Sequence, residues 1–230
     1  MRPPGAATVR GVMEGETVME QGRWVLLGTL LIVASLAMGS GINESVGVAR
    51  GEVHDGDLST LNGGISIGDG ATVNGECNSV NGGIDVGEDC RVESLSSVNG
   101  GISVGAGTQL EKEVQAINGR ITLGSGASAS SVETINGQIK MTGAEIDGDV
   151  TTINGNITLR EGSTVGGDII IEDRGNGSDD RDRPLKIELS GGSVVEGNVI
   201  VEDESTPVEV HLSDGSRVMG RIENAEVIEN

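Results

Sequence analysis

The stretch SVNGGIDVG, Ser79 to Gly87, recurs in near-copies along the chain. Its Asn-Gly pair returns at Asn62, Asn81, Asn99, Asn118, Asn136 and Asn154, in steps of 19, 18, 19, 18 and 18 residues. One variable residue follows each pair, then Ile65, Ile84, Ile102, Ile121, Ile139 or Ile157. Two residues further on stands Ile67, Val86, Val104, Leu123, Met141 or Leu159. A fixed period of this kind is the mark of a repeat architecture, and it takes precedence over any local assignment.

Taken alone, Asn-Gly between aliphatic runs would signal a hairpin with a type I′ turn. The rest of each unit overrides that reading. Ala71 and Val73 form a second apolar pair in the first unit, and Cys77 with Val80 a third. The next unit offers Cys90 with Val92, then Leu95 with Val98. The one after has Thr108 with Leu110, then Val114 with Ile117. Period-2 alternation within a segment turns one side inward. Three such segments separated by polar or Gly-rich corners make one turn of a triangular coil. The residue that distinguishes 19-residue from 18-residue units falls between Val73 and Cys77, or Leu110 and Val114. It therefore sits at a corner, where it leaves the inward register intact.

The expected fold is all-β: a single-stranded parallel β-helix, a triangular solenoid of 18–19 residues per coil. The pattern reads the same for either hand. Single coils cannot bury their own apolar side, so stability must come from stacking. At strand spacing, six regular coils plus flanking ones make a rod on the order of 40 Å long. Residues 47–171 are the regular coils, 172–184 (EDRGNGSDDRDRP) a charged loop, and 185–230 irregular carboxy-terminal coils or cap. There the period lengthens, with 23 residues between Ile187 and Val210. Gly82 and its counterparts are expected to supply positive φ at the corner. The six asparagines are expected to stack as a structural ladder of amides.

Composition agrees with a narrow sheet core. The 230 residues include no Phe or Tyr, one Trp and 39 Gly, and Val, Ile and Leu dominate the apolar set. The net charge of −21 argues against nucleic acid, whose phosphates require a basic footprint. Trp24 to Gly39, WVLLGTLLIVASLAMG, is the only long apolar run. Sixteen residues preceded by Arg23 and closed by small residues suit a signal-peptide core better than a span. Residues 1–39 are read as a leader, cleaved or retained as a membrane anchor, with Met13 or Met19 as possible starts. Residues 40–230 are then the exported domain, in the periplasm or at the cell surface.

Candidate chemistry is sparse. IGDGATVNGE (67–76) is similar to hexapeptide-repeat acyltransferases, which need a cleft His. His54 and His211 lie outside the regular ladder. Polysaccharide cleavage wants clustered carboxylates and aromatic platforms, whereas Asp69, Asp85, Glu88, Asp89 and Glu93 share no repeated column. The loop Glu172–Asp182 lacks EF-hand spacing. Cys77 and Cys90 fall on different faces, Cys90 in a small inward column with Ala71, Thr108 and Ala127, and both read as core thiols in preference to the disulfide that export would allow. No catalytic, metal-binding or cofactor-binding residue is nominated, and no cofactor is implied.

The IGDGATVNGE and SxVNGGIxVG units resemble those of bactofilin-like, polymer-forming β-helix proteins of bacteria. They also resemble exported proteins built from repeated VNG-x-I coils. The resemblance covers about residues 47–171, and the carboxy-terminal region loosely. It implies a triangular coil and end-to-end assembly. The chain departs from bactofilins in its export-type segment and in having no Phe for a terminal apolar contact, and no family site residue carries over. The function expected is a non-enzymatic structural or interaction β-solenoid of the cell envelope, able to self-associate or meet an envelope partner. The alternative is a carbohydrate-active or acyl-transfer enzyme on the same fold.

Overall fold

The computed structural model describes residues 43–174 and 183–229. The leader read over 1–39 lies outside the described residues, as does the middle of the charged loop. The described chain is a parallel β-solenoid. Ten strands of face one form one sheet, running from Val46–Val48 through Ile65–Ile67, Ile84–Val86 and Ile102–Val104 to Val208–Leu212 and Glu226–Glu229. A sixteen-stranded sheet wraps faces two and three. Ten rungs at about 4.8 Å give a rod roughly 43 Å long.

Registration is residue on residue. Ile65, Ile84, Ile102, Ile121, Ile139, Ile157, Ile187 and Val210 stack in one buried column. Leu58, Cys77, Leu95, Val114, Val132, Val150, Ile169 and Val199 stack in another, on face three. Aliphatic side chains stacked at strand spacing fill the bore without aromatics. Each fully buried Ile, Leu or Val contributes about 1.5–3 kcal/mol.

The extra residue of the longer units sits where the spacing places it. Strands Thr72–Ser79 and Arg91–Ser97 pair Val73 with Val92, then resume at Glu76 with Ser94 across a register shift. One inward assignment is corrected. Val80, Val98 and Ile117 are not core residues but stand half-buried on the outside of a corner. Successive strand residues point to opposite sides beyond Cys77, Leu95 and Val114, so the inward neighbour comes two residues later, at Ser79, Ser97 and Ala116.

The carboxy-terminal coils are more regular than their spacing suggests. Ile157 pairs with Ile187 and Ile187 with Val210, while Ile169 pairs with Val199 and Val199 with Ile222. The added residues leave from a single corner, after Ile171 and after Val201. The core columns pass through undisturbed.

Candidate functional site

In the regular coils each strand of face three hands the chain to face one through the Asn-Gly corner, and here the repeat is most invariant. Each Asn backbone N–H donates to the coil before it: Asn81 to Leu61 O at 3.0 Å, and Asn99 to Val80 O and Asn118 to Val98 O at 2.8 Å. The side chains form a second ladder. Nδ2 of Asn81 donates to Oδ1 of Asn62 at 2.8 Å, Asn99 to Asn81 and Asn118 to Asn99 at 3.0 Å, Asn136 to Asn118 at 3.0 Å, and Asn154 to Asn136 at 2.9 Å. Asn62 in turn donates to Asn43 at 2.8 Å, a rung the repeat spacing overlooks because Glu44 follows it in place of Gly.

The ladder is on the outside. Asn62, Asn81, Asn99, Asn118 and Asn136 are exposed, so its amides compete with water, unlike those in a cross-β core.

The glycines serve a purpose other than the one expected. Gly82 and its counterparts do not take positive φ. A Cβ on Gly82 would fall well inside contact distance of Gly63 O, one on Gly100 would strike Gly82 O, and one on Gly119 would strike Gly100 O. Close backbone stacking excludes every side chain at this position. Left-handed backbone recurs instead at the corner where face one turns into face two: Gly70 at φ 68°, Asp89 at 53° and Gly107 at 68°.

Behind five of the six Asn-Gly pairs lies a buried hydroxyl, from Thr60, Ser79, Ser97, Thr134 and Thr152, a column visible in the sequence two residues before each Asn. Ser79 Oγ donates to Gly63 O at 3.1 Å and Ser97 Oγ to Gly82 O at 3.1 Å, while Thr134 Oγ1 reaches Gly119 O at 3.4 Å. The same glycine carbonyl that excludes a Cβ thus receives a hydrogen bond from inside the bore. Ala116 interrupts the column, and Thr152 Oγ1 is buried with no hydrogen-bond partner among the described residues. Outside it runs an aliphatic edge of Leu61, Val80, Val98, Ile117, Ile135 and Ile153, from 39% exposed at Leu61 to 8% at Ile153.

The other candidates are dispersed. His54 sits in the first coil, paired to Val73. His211 stands near the far end, its Nε2 2.9 Å from Glu209 Oε2, which also meets Lys186 Nζ at 3.3 Å. Cys77 and Cys90 are free and buried, and burial pushes the Cys77 thiol up to about 12, with Asp57 adding to the effect. On face three, Glu133 is 7% exposed and accepts from Gln115 Nε2 at 3.3 Å. Burial raises its carboxyl to about 7, and the charges of Glu172 and Glu113 act the same way. Glu172 is raised as well, first by burial and then by Glu202. Among the described residues no group of three or more His, Cys, Asp or Glu side chains is arranged to hold a metal ion. A shallow depression of about 340 Å³ crosses face one beside the corner, where Gly83 and Gly101 leave room below Arg120 and the outer column Asp85, Ser103 and Thr122.

The exposed cations bridge neighbouring coils. Arg91 pairs with Glu111 and Lys112 with Glu93, each at 2.6 Å, and Arg50 with Asp69 at 2.5 Å. Such exposed pairs are worth little individually. Each of the three joins a cation of one coil to a carboxylate of an adjacent coil.

The two ends of the rod differ from its middle. Val227 continues the inward column after Val210, yet it is 44% exposed, because no further coil stacks on the strand Glu226–Glu229 among the described residues. Val218, Ile222 and Ala225 are only partly buried, and Met219 is 63% exposed. Comparison of the chain with family models, with curated proteins and with solved structures finds no match.

Proposed function

We propose that the chain is a non-enzymatic β-solenoid rod, a structural or interaction element of the cell envelope that self-associates through its carboxy-terminal coil. The observation that carries this reading is Val227. It is a member of a core column otherwise almost fully buried, and no coil among the described residues covers it. The last strand also has an edge of backbone donors and acceptors, and such an edge templates further pairing unless it is covered. The half-buried Val218 and Ile222 and the exposed Met219 surround it with apolar surface. Export rests on the segment Trp24 to Gly39, and end-to-end assembly agrees with the likeness of the repeats to polymer-forming solenoids.

Net charge of −21 opposes association, so added salt is expected to strengthen it by screening. Sedimentation velocity of the purified chain across concentration tests the reading. The expected result is a concentration-dependent shift to larger species that grows with salt and is abolished by Val227→Glu. A strict monomer at all concentrations and salts overturns it.

A further inference from the structure

We infer that the asparagine column is a set of latent deamidation sites whose conversion is held back by the ladder itself. Asn followed by Gly is the dipeptide most open to this chemistry, because a residue without Cβ leaves its backbone nitrogen unshielded. The nitrogen of Gly100, for example, attacks Cγ of Asn99. The new N–Cγ bond closes a five-membered succinimide, the Cγ–Nδ2 bond breaks, and ammonia leaves carrying the proton taken from the glycine nitrogen. Water then opens the ring at either carbonyl, leaving aspartate or isoaspartate. Six such pairs are stacked one above another, and five of the asparagines are exposed to the water the second step consumes.

The corner opposes the first step. To reach the glycine nitrogen, the carboxamide must swing out of the column, and an interior member such as Asn99 then loses two hydrogen bonds, one donated to Asn81 and one accepted from Asn118. The backbone cannot move to meet it. The Asn99 N–H is tied to Val80 O at 2.8 Å, and Gly100 is packed against the Gly82 carbonyl too closely to admit even a Cβ. Two exposed hydrogen bonds correspond to protection of about tenfold or more. Each conversion would add a negative charge and replace a donor with an acceptor-only carboxylate facing the acceptor below. An isoaspartate would in addition lengthen the main chain at a corner that has no slack.

The test is peptide mapping by mass spectrometry, with aspartate and isoaspartate resolved, of the full chain aged at mildly alkaline pH in buffer and in urea. Conversion at Asn81, Asn99, Asn118 and Asn136 is expected to be at least about tenfold slower in the folded chain. Equal rates in the two states overturn the inference. Two variants then separate the ladder from folding in general. Asn99→Ala removes both the acceptor of Asn118 and the donor to Asn81, so both neighbours are expected to convert about threefold faster or more. Asn74, an Asn-Gly asparagine outside the column that donates to Asp55, is expected to keep its rate. Asn99→Asp keeps the acceptor and removes the donor, so Asn81 alone accelerates. This second variant carries the test if the first does not fold. Unchanged neighbours, an Asn118 that accelerates in the aspartate variant, or uniform acceleration that includes Asn74 overturns the assignment.

Discussion

The corner between faces three and one is built in two ways within one molecule. In the amino-terminal coils it is a two-residue step, Asn-Gly, closed by an amide ladder outside and hydroxyls within. In the carboxy-terminal coils the same corner opens into the segments after Ile171 and Val201, with Glu172 and Glu202 following the strand in place of the aliphatic-Asn-Gly sequence. The columns of Ile and Val continue through both regions without a change of register. Stacked faces hold the rod together, and the corner adapts to whatever length of chain must pass. The difference shows that the ladder is a local fastener and that glycine is obligatory only where the corner is closed tightly.

The largest effects should therefore be indifferent to the region. Ile121→Ala and Ile187→Ala each empty a fully buried position and should each cost about 2–5 kcal/mol in urea unfolding. Far-UV circular dichroism is the readout, since Trp24 is the chain's only aromatic residue. A loss confined to the amino-terminal variant would break the comparison. Next comes Gly119→Ala, whose new methyl must displace the Gly100 carbonyl, with an expected loss of about 3 kcal/mol. Gly162, at φ 75° with open space around it, should lose only about 1 kcal/mol on the same change. Equal losses would mean that close stacking does not define the corner.

Glu133 sharpens the contrast from the flank of the carboxy-terminal insertion. Its folded carboxyl titrates at about 7 against an ordinary value of about 4.5, so between those values the folded chain binds more protons than the unfolded one. Stability should accordingly fall as pH rises from about 4.5 to 7, by roughly 2–3 kcal/mol from this group. Glu133→Gln should flatten that slope and leave the variant the more stable protein above pH 7. A slope that survives in the variant would assign the effect elsewhere. The smallest effect is Asn118→Ala, where two exposed hydrogen bonds are lost and water replaces them, at about 0.5–1 kcal/mol by the same unfolding measurement. A loss as large as that of Gly119→Ala would make the ladder more than a fastener.

Much of this was legible in the chain. The 18–19 residue period, the placement of the extra residue at a corner and the inward columns on faces one and two follow from spacing alone, because a parallel stack repeats in space whatever repeats in sequence. Val80, Val98 and Ile117 are aliphatic without being inward, so residue type alone does not locate the bore at this corner. The inward positions belonged to Ser79 and Ser97, whose hydroxyls are satisfied by glycine carbonyls that no residue pattern reveals. The role of Gly82 was likewise hidden. A demand for positive φ and a demand for close approach select the same residue, and only the distance to the next coil separates them. The lengthened period after Ile171 suggested irregular coils, because counting residues cannot tell a distorted strand from a regular strand preceded by a longer corner.

By itself, then, the sequence determined a stacked parallel coil with asparagine in a single corner column, since periodicity and alternation encode which residues superimpose. Tertiary structure alone decided what each corner residue does there. The exclusion of Cβ at glycine, the hydrogen bonds of the buried hydroxyls, the raised carboxyl of Glu133 and the open column at Val227 all depend on what the adjacent coil places within a few ångströms. Across coils those neighbours are separated by 15 to 30 residues of chain.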